Sequence, residues 1–367
     1  MPSASAFLPE LPAGARVLVV RLRSLGDALL MTPALRALKA WRPDLRLSAL
    51  LYARFAPILA SNPDLDEVIE LEPAGPGGPL RVAQAAAALR GRGFAACFNL
   101  HGGTLSALLT GLSGARHRIG SSRFRYRFAY TCLSDPRAVF GRERLHAVEN
   151  LIAPFYSAGL PQGEIPPMQI FPQAAAREAV AQKLAARGVR PGTRYALLHP
   201  AANFFTKEWP FERYAALARF LERQHGLAPV FTAGPGEGAK LEAVARAYGK
   251  PLTRLDPLTV PELVAAIEGA ALFVGNDSGP THIAAALARP LVVLFGSSDA
   301  NAWSPWRAAH ALVQNYYACN PCRGDRCYAF AQPECILSIT LEQAQAAVER
   351  VLAPHLAGQA PVPSSVS

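Results

Sequence analysis

The chain has 367 residues, 51% of them hydrophobic and 17% charged, which is the composition of a folded globular protein with length enough for two domains rather than a disordered one. Lys plus Arg exceed Asp plus Glu by 37 to 27, so anionic partners are favoured, whether nucleic acid, phosphorylated lipid or nucleotide. No run of about 18 apolar residues is present, Met1–Arg16 lacks the pattern of a signal peptide, and six cysteines are too few and too clustered for a disulfide scaffold, so a cytoplasmic protein is expected, with peripheral membrane attachment left open.

Apolar runs alternate with helical periods along the chain. Residues 16–21 (RVLVVR) predict a strand and 27–40 the helix after it; 46–52 and 68–71 predict strands, 81–92 a helix, and 94–100 (FAACFNL) a buried strand. Four prolines in 160–172 mark a linker between domains. Beyond it, 195–200, 229–234, 272–277 and 291–296 predict strands, with helices at 211–225, 261–268 and 281–288. A last helix at 340–352 precedes a Pro/Ser tail. Near-continuous apolar strands separated by helices imply parallel sheets covered on both faces. The expected fold is therefore α/β, with two facing Rossmann-like doubly wound domains and an interdomain cleft. The domains are expected at 1–165 and 173–352, with 353–367 a disordered tail. Ligands in such sheets bind beyond the carboxyl ends of the strands.

Three stretches stand at those ends. Arg21–Asp27 (RLRSLGD) leaves the first strand. Gly26 lets the backbone turn, and Asp27 either caps the helix or offers a carboxylate that can take a proton from a hydroxyl. The glycine fingerprint of a dinucleotide site is absent there. His199–Pro210 (HPAANFFTKEWP) carries Lys207, a point charge suited to a diphosphate, with Asn203 and Thr206 as hydrogen-bonding neighbours. Gly275–His282 (GNDSGPTH) opens a helix, so Asp277, Ser278 and Gly279 lie where backbone N–H groups can hold phosphate. A capping loop, with His282 as a packed imidazole, is the plainer alternative.

Taken in order, these stretches resemble the lipopolysaccharide heptosyltransferases, glycosyltransferase family nine. The resemblance rests on S-L-G-D with T-P-A-L (Ser24–Asp27, Thr32–Leu35), on H-P-A…T-K-E-W-P, and on D-S-G-P-T-H with A-A-A-L. It also takes in Asn62–Ile69 (NPDLDEVI) and Phe98–Gly103 (FNLHGG), and it runs from about residue 16 to 352. It implies a GT-B type fold and an inverting, metal-independent transfer of a heptose from ADP-heptose to the lipopolysaccharide inner core. The acceptor would bind the N-terminal domain and the sugar nucleotide the C-terminal one. Asp27 falls on the family's general base and Lys207 on its diphosphate-binding lysine. The donor turn falls on Asp277, Ser278 and Gly279; His282, Asn203 and Thr206 complete the expected donor-binding set. Glu237 falls near the position that touches ribose, and Leu258 where a backbone group meets the base. No cofactor is required. Asp64–Asp66 (DLD) matches a manganese motif of other glycosyltransferases, but the resembled family has an acidic turn there in any case.

Arg116–Arg127 (RHRIGSSRFRYR) interleaves arginines with Phe124 and Tyr126. It reads as a solvated loop, or as a site for acceptor phosphates or a membrane surface, since arginine forks fit phosphate. No nucleic-acid fold signature accompanies it, so nucleic acid is not an expected partner. The expected acceptor set is Ser24, Gly26, His101, Arg118, Arg123 and Arg125. Cys319, Cys322, Cys327 and Cys335 allow a structural zinc site, reduced thiols or a labile disulfide. Alternatives in function are transfer from another nucleotide sugar, and a sugar-nucleotide epimerase of similar architecture. The sequence does not set the oligomeric state.

Overall fold

A computed structural model of the chain describes residues 6–73 and 78–357. The chain divides into two units between Phe171 and Pro172, at the end of the proline-rich stretch. The first unit holds a six-stranded sheet of β1 (Arg16–Val20), β2 (Arg46–Tyr52), β3 (Glu67–Leu71), β4 (Ala96–Asn99), β5 (His117–Ser121) and β6 (Cys132–Ser134). The second holds β7 (Tyr195–His199), β8 (Ala228–Phe231), β9 (Thr253–Arg254), β10 (Leu272–Asn276), β11 (Leu291–Phe295) and β12 (Ala311–Gln314). All neighbours pair in parallel, in the orders β3-β2-β1-β4-β5-β6 and β12-β11-β10-β7-β8-β9. Counted from its own first strand, each sheet has the same doubly wound order, and it reverses beside β1 and β7.

The helices of the first unit are α1 (Leu25–Leu30), α2 (Thr32–Trp41), α3 (Gly78–Gly91), α4 (Thr104–Leu112), α5 (Pro136–Phe140) and α6 (Ala147–Ser157). Those of the second are α7 (Ala174–Ala185), α8 (Phe211–His225), α9 (Gly238–Tyr248), α10 (Val260–Glu268), α11 (Gly279–Ala286), α12 (Ala300–Trp303), α13 (Glu334–Leu337) and α14 (Leu341–Ala357). The single helix expected over 27–40 is two. Pro33 stands in the first turn of α2, where its missing N–H costs nothing, and Thr32 Oγ1 donates to the Leu29 carbonyl at 2.7 Å. The last helix runs on to Ala357, so 353–357 are helical rather than part of a tail; 358–367 lie outside the described residues.

Apolar side chains fill both halves. Leu18, Val20, Leu50 and Cys97 of the first sheet pack with Leu89 of α3 and Leu109 of α4. Leu198, Val274, Val292 and Leu294 of the second pack with Leu217 and Leu221 of α8 and Val348 and Leu352 of α14. Trp209 is wholly buried, and its indole N–H donates to the Ile339 carbonyl at 2.8 Å. Asn276, buried at the end of β10, ties this region together. Its Oδ1 accepts from Trp209 N (3.3 Å) and Tyr214 OH (3.1 Å), and its Nδ2 donates to the Pro200 carbonyl at 2.9 Å. Asn276→Ala strands three buried groups, and each lost partner is worth about 1–3 kcal/mol before relaxation. We expect this variant to lose about 2–4 kcal/mol of stability in urea unfolding, whereas a midpoint equal to wild type would show that the bonds carry no net weight.

Candidate functional site

In the first unit the two strands that flank the reversal, β1 and β4, deliver Asp27 and His101. Asp27 stands at the third position of α1, with Ser24 as the residue before the helix. The Ser24 N–H and hydroxyl both donate to Asp27 Oδ2, at 2.9 and 3.1 Å. Arg21, just past β1, pairs with Asp27 Oδ1 at 2.6 Å and also donates to the Leu100 carbonyl past β4. Burial works to raise the carboxyl pKa, but the Arg21 charge and the Ser24 bonds outweigh it and hold the group below the ordinary carboxylate value. The motif is thus both a cap and a fixed anion. Arg21 was missing from the expected site residues, although its spacing to Asp27 was the available signal.

His101 is held close by. Asn99, buried at the end of β4, accepts from the N–H groups of His101 (2.9 Å) and Gly102 (3.1 Å), while its amide donates to Thr110 and Tyr130. Gly102 has φ +73°, and a Cβ there would overlap the Phe124 ring, so glycine is required on two counts. Burial, then the Arg21 and Arg23 charges, push the His101 imidazole down to about 4, so it is neutral at neutral pH.

Other members of the expected acceptor set are placed differently. Gly26 lies within the first turn of α1 and is buried; it is not among the glycines with positive φ, so it does not make the turn. Arg118 spends its guanidinium on the Ala129 carbonyl (3.0 Å) and the Ala115 carbonyl (2.8 Å), which fixes the loop after β5 rather than offering a free fork. Arg123 and Arg125 are exposed. The DLD string is used structurally, since Arg36 pairs with Asp64 at 3.1 Å and Lys39 with Asp66 at 2.9 Å.

In the second unit the flanking strands are β7 and β10. Lys207 ends the 3₁₀ turn Phe205–Lys207 after β7, and Asp277 follows β10. Lys207 Nζ meets Asp277 Oδ2 at 2.8 Å, and the Ser298 hydroxyl donates to the same oxygen at 2.5 Å. Asp277 therefore uses its carboxylate to hold the lysine beside the start of α11. Ser278 precedes that helix without capping it, and its hydroxyl is buried with no hydrogen-bond partner among the described residues. An unpartnered hydroxyl at a helix N-terminus suits an anionic ligand. Gly279 begins α11, and His282 lies buried within it.

The remaining donor candidates divide. Asn203 is exposed, while Leu258 is half-buried in the loop before α10. Thr206 is buried, its hydroxyl bonded to the Gly324 carbonyl and 3.1 Å from Ser297 Oγ, so it fastens the loop rather than facing a ligand. Glu237 accepts from Gly234 N at 2.9 Å and from Lys240 at 2.8 Å, and Lys240 also pairs with Glu208 at 2.5 Å. That charged trio, absent from the expected site apart from Glu237, ties the loop after β7 to α9.

Cys319, Cys322, Cys327 and Cys335 are free thiols that line one small cavity with Thr206 and Ser297. Among the described residues no three His, Cys, Asp or Glu side chains are grouped to hold a metal ion. The segment is pinned to the loop after β11: Cys322 N donates to the Ser297 carbonyl at 3.0 Å, and Asn320 Nδ2 to the Gly296 carbonyl at 2.7 Å.

His199, buried at the end of β7, is pushed down to about 4, chiefly by burial against the pull of Glu237. Its folded pKa lies below the unfolded value of about 6.5. Between those values the unfolded chain binds a proton that the folded chain does not. The contribution of His199 is complete above about pH 6.5 and is lost as the pH falls toward 4. We expect the urea midpoint to fall between pH 7 and pH 5, and His199→Gln to flatten that slope by on the order of 1–2 kcal/mol. An unchanged slope would assign the acid loss elsewhere. Asp27 acts lower on the scale, losing its contribution only as the pH falls below the ordinary carboxylate range.

The profile of glycosyltransferase family 9 (heptosyltransferase) matches residues 82–330. Lipopolysaccharide heptosyltransferase 3 of Escherichia coli is 30% identical over 292 residues, which cover 78% of this chain and 84% of that one. Among solved structures, a family 9 glycosyl transferase from Veillonella parvula superposes with a TM-score of 0.80 at 22% identity, covering 93% of this chain and 97% of its own. The E. coli ADP-heptose lps heptosyltransferase II gives 0.74 at 20% identity, covering 93% and 99%. With the profile running from β4 through β12 and the fold matched along nearly the whole length, the chain belongs to glycosyltransferase family 9, the heptosyltransferases, and is a glycosyltransferase of the GT-B fold.

Proposed function

We propose that the protein transfers a heptose from ADP-heptose to the inner core of lipopolysaccharide, by an inverting displacement that requires no metal. The observation that carries this reading is the pairing of unlike chemistry at two equivalent places. The first sheet presents a carboxylate held ionised at its reversal. The second presents a lysine, an unpartnered serine hydroxyl and a helix N-terminus at its own. The 30% identical relative, named a lipopolysaccharide heptosyltransferase, supports the donor and acceptor classes.

In this reading residues 1–165 bind the acceptor and 173–352 the sugar nucleotide. Asp27 accepts the proton of the acceptor hydroxyl as its oxygen bonds to the anomeric carbon. The bond from that carbon to the diphosphate breaks, and ADP leaves as an anion held by Lys207 and the start of α11. A weakly basic carboxylate suffices, because an oxocarbenium-like transition state puts most of the charge change on the sugar and its leaving group. Ser24 and Arg21 keep the base oriented, and His101 lines the acceptor side as a neutral imidazole. Glu237 and Leu258 would meet ribose and base, and the four cysteines act structurally, as thiols. The protein would work at the cytoplasmic face of the inner membrane, where its acceptor is made.

Asp27→Asn is expected to lower heptose transfer by about 10²–10⁴-fold, while calorimetric ADP affinity stays within about twofold of wild type. Full turnover by this variant would remove Asp27 from the mechanism. For Lys207→Ala we expect ADP binding weaker by about 1.5–3 kcal/mol, and an unchanged Kd would refute its role. Calorimetry with ADP, UDP, GDP and CDP, with and without EDTA, tests the donor. ADP selectivity that survives EDTA is expected, and selectivity for UDP or GDP would replace ADP-heptose with another nucleotide sugar.

A further inference from the structure

From Pro73 to Ser134 the chain has eight arginines and no Asp or Glu. Part of that stretch forms a surface that the chemistry above leaves unused. The turn Arg127–Ala129 lies along α4: Tyr126 OH is 2.9 Å from Thr104 Oγ1, and a Cβ at Gly111 would stand 3.9 Å from that of Ala129. The inward side of this pair is closed by Ala107, Ala129 and Tyr130. Phe128, next to Ala129 in the turn, is 87% exposed, and Leu108 and Leu112 of α4, next in the chain to Ala107 and Gly111, are 47% and 43% exposed. Leu108 and Leu112 are four apart and share a helix face. Tyr126 meets Phe128 edge to face at 6.1 Å, and the Arg125 guanidinium sits 5.5 Å over the Tyr126 ring. Arg116, Arg123, Arg125 and Arg127 of the same stretch are all exposed, and among the described residues none of the four is in an ion pair with a carboxylate.

We infer that this face of α4 and the Arg127–Ala129 turn docks on an anionic lipid bilayer. An exposed phenylalanine on the turn and two exposed leucines on the helix it lies along are costly in water and fit the boundary between headgroups and acyl chains. Arginines of the same stretch can meet lipid phosphates at that depth, each worth about fivefold in partition near an anionic surface. No helix among the described residues is long and apolar enough to cross a membrane, so attachment of this kind would be from one side. The charge complementarity selects a bilayer over a second copy of the chain, because two such faces would bring their unpaired arginines together. The inference agrees with a lipid-borne acceptor but stands apart from it, since vesicle binding is read with neither donor nor acceptor present.

The test is flotation of the full chain with vesicles of phosphatidylcholine alone or with one third phosphatidylglycerol. Binding to the anionic vesicles only, weakened by salt, is expected. Phe128→Ser with Leu112→Ser should lower partition by about tenfold or more. Arg123→Gln, Arg125→Gln and Arg127→Gln together should lower it roughly 100-fold. Unchanged thermal melting of these surface variants shows that they fold. Equal binding by wild type and the Phe128/Leu112 variant would overturn the inference, as would no vesicle binding by wild type. A concentration-dependent dimer that Phe128→Ser abolishes, without vesicle binding, would make the face a contact between copies instead.

Discussion

A doubly wound parallel sheet has one place where the loops leaving two neighbouring strands run to opposite faces. Right-handed crossovers enforce this, because helices that follow strands on either side of the reversal must cover different sides of the sheet. Here the reversal lies between β1 and β4 in one half and between β7 and β10 in the other. Only there can side chains from two loops converge beyond the strand ends without a helix between them. Asp27 with His101, and Lys207 with Asp277, occupy these two positions. The two halves share a frame and differ in what they put into it.

What they put there is charge, and charge at a partly buried position must be matched. Desolvation alone would drive Asp27 toward its neutral form, in which it accepts no proton. Arg21 and two bonds from Ser24 reverse that tendency, so the group is an anion before any ligand arrives. Such fixed partners need no reorganisation during reaction, which is where electrostatic catalysis gains most. The lysine is treated similarly. Asp277 and Ser298 decide where its ammonium stands, so a diphosphate binding beside α11 would share that ammonium with a carboxylate already in place. Asp277 thus supplies position, while Lys207 and the helix supply the positive potential.

Much of this was legible in the sequence, for identifiable reasons. The central strands are continuous apolar runs, and the loops that follow them carry Gly, Ser and Asp in patterns that require a strand before and a helix after. Four strands were not legible: His117–Ser121, next to an edge, and the edge strands Cys132–Ser134, Thr253–Arg254 and Ala311–Gln314, which are short and depend on a formed neighbour that offers its free edge. Side-chain commitments were hidden too. Nothing local distinguishes Arg118, whose guanidinium is consumed by backbone carbonyls, from the exposed Arg123 and Arg125. Likewise Thr206 reads as a ligand hydroxyl until the carbonyl of Gly324, distant in sequence, is seen to accept its hydrogen bond.

That last contact bears on the cysteines. Gly296 lies so close to the Thr206 carbonyl that a side chain there would overlap it, and the cysteine segment bonds to Gly296, Ser297 and Thr206 in turn. Ser298, one residue on, reaches Asp277 and through it Lys207. A segment with no group at the start of α11 therefore forms the floor on which the lysine turn rests. Burial, and then the nearness of Cys319 and Cys322, push the Cys335 thiol up. A thiol kept protonated is a poor nucleophile and a compact apolar packing group. Cys335, then, acts by packing beneath the turn, and the connection of this segment to Lys207 is mechanical, through the backbone and the Ser298–Asp277–Lys207 contacts.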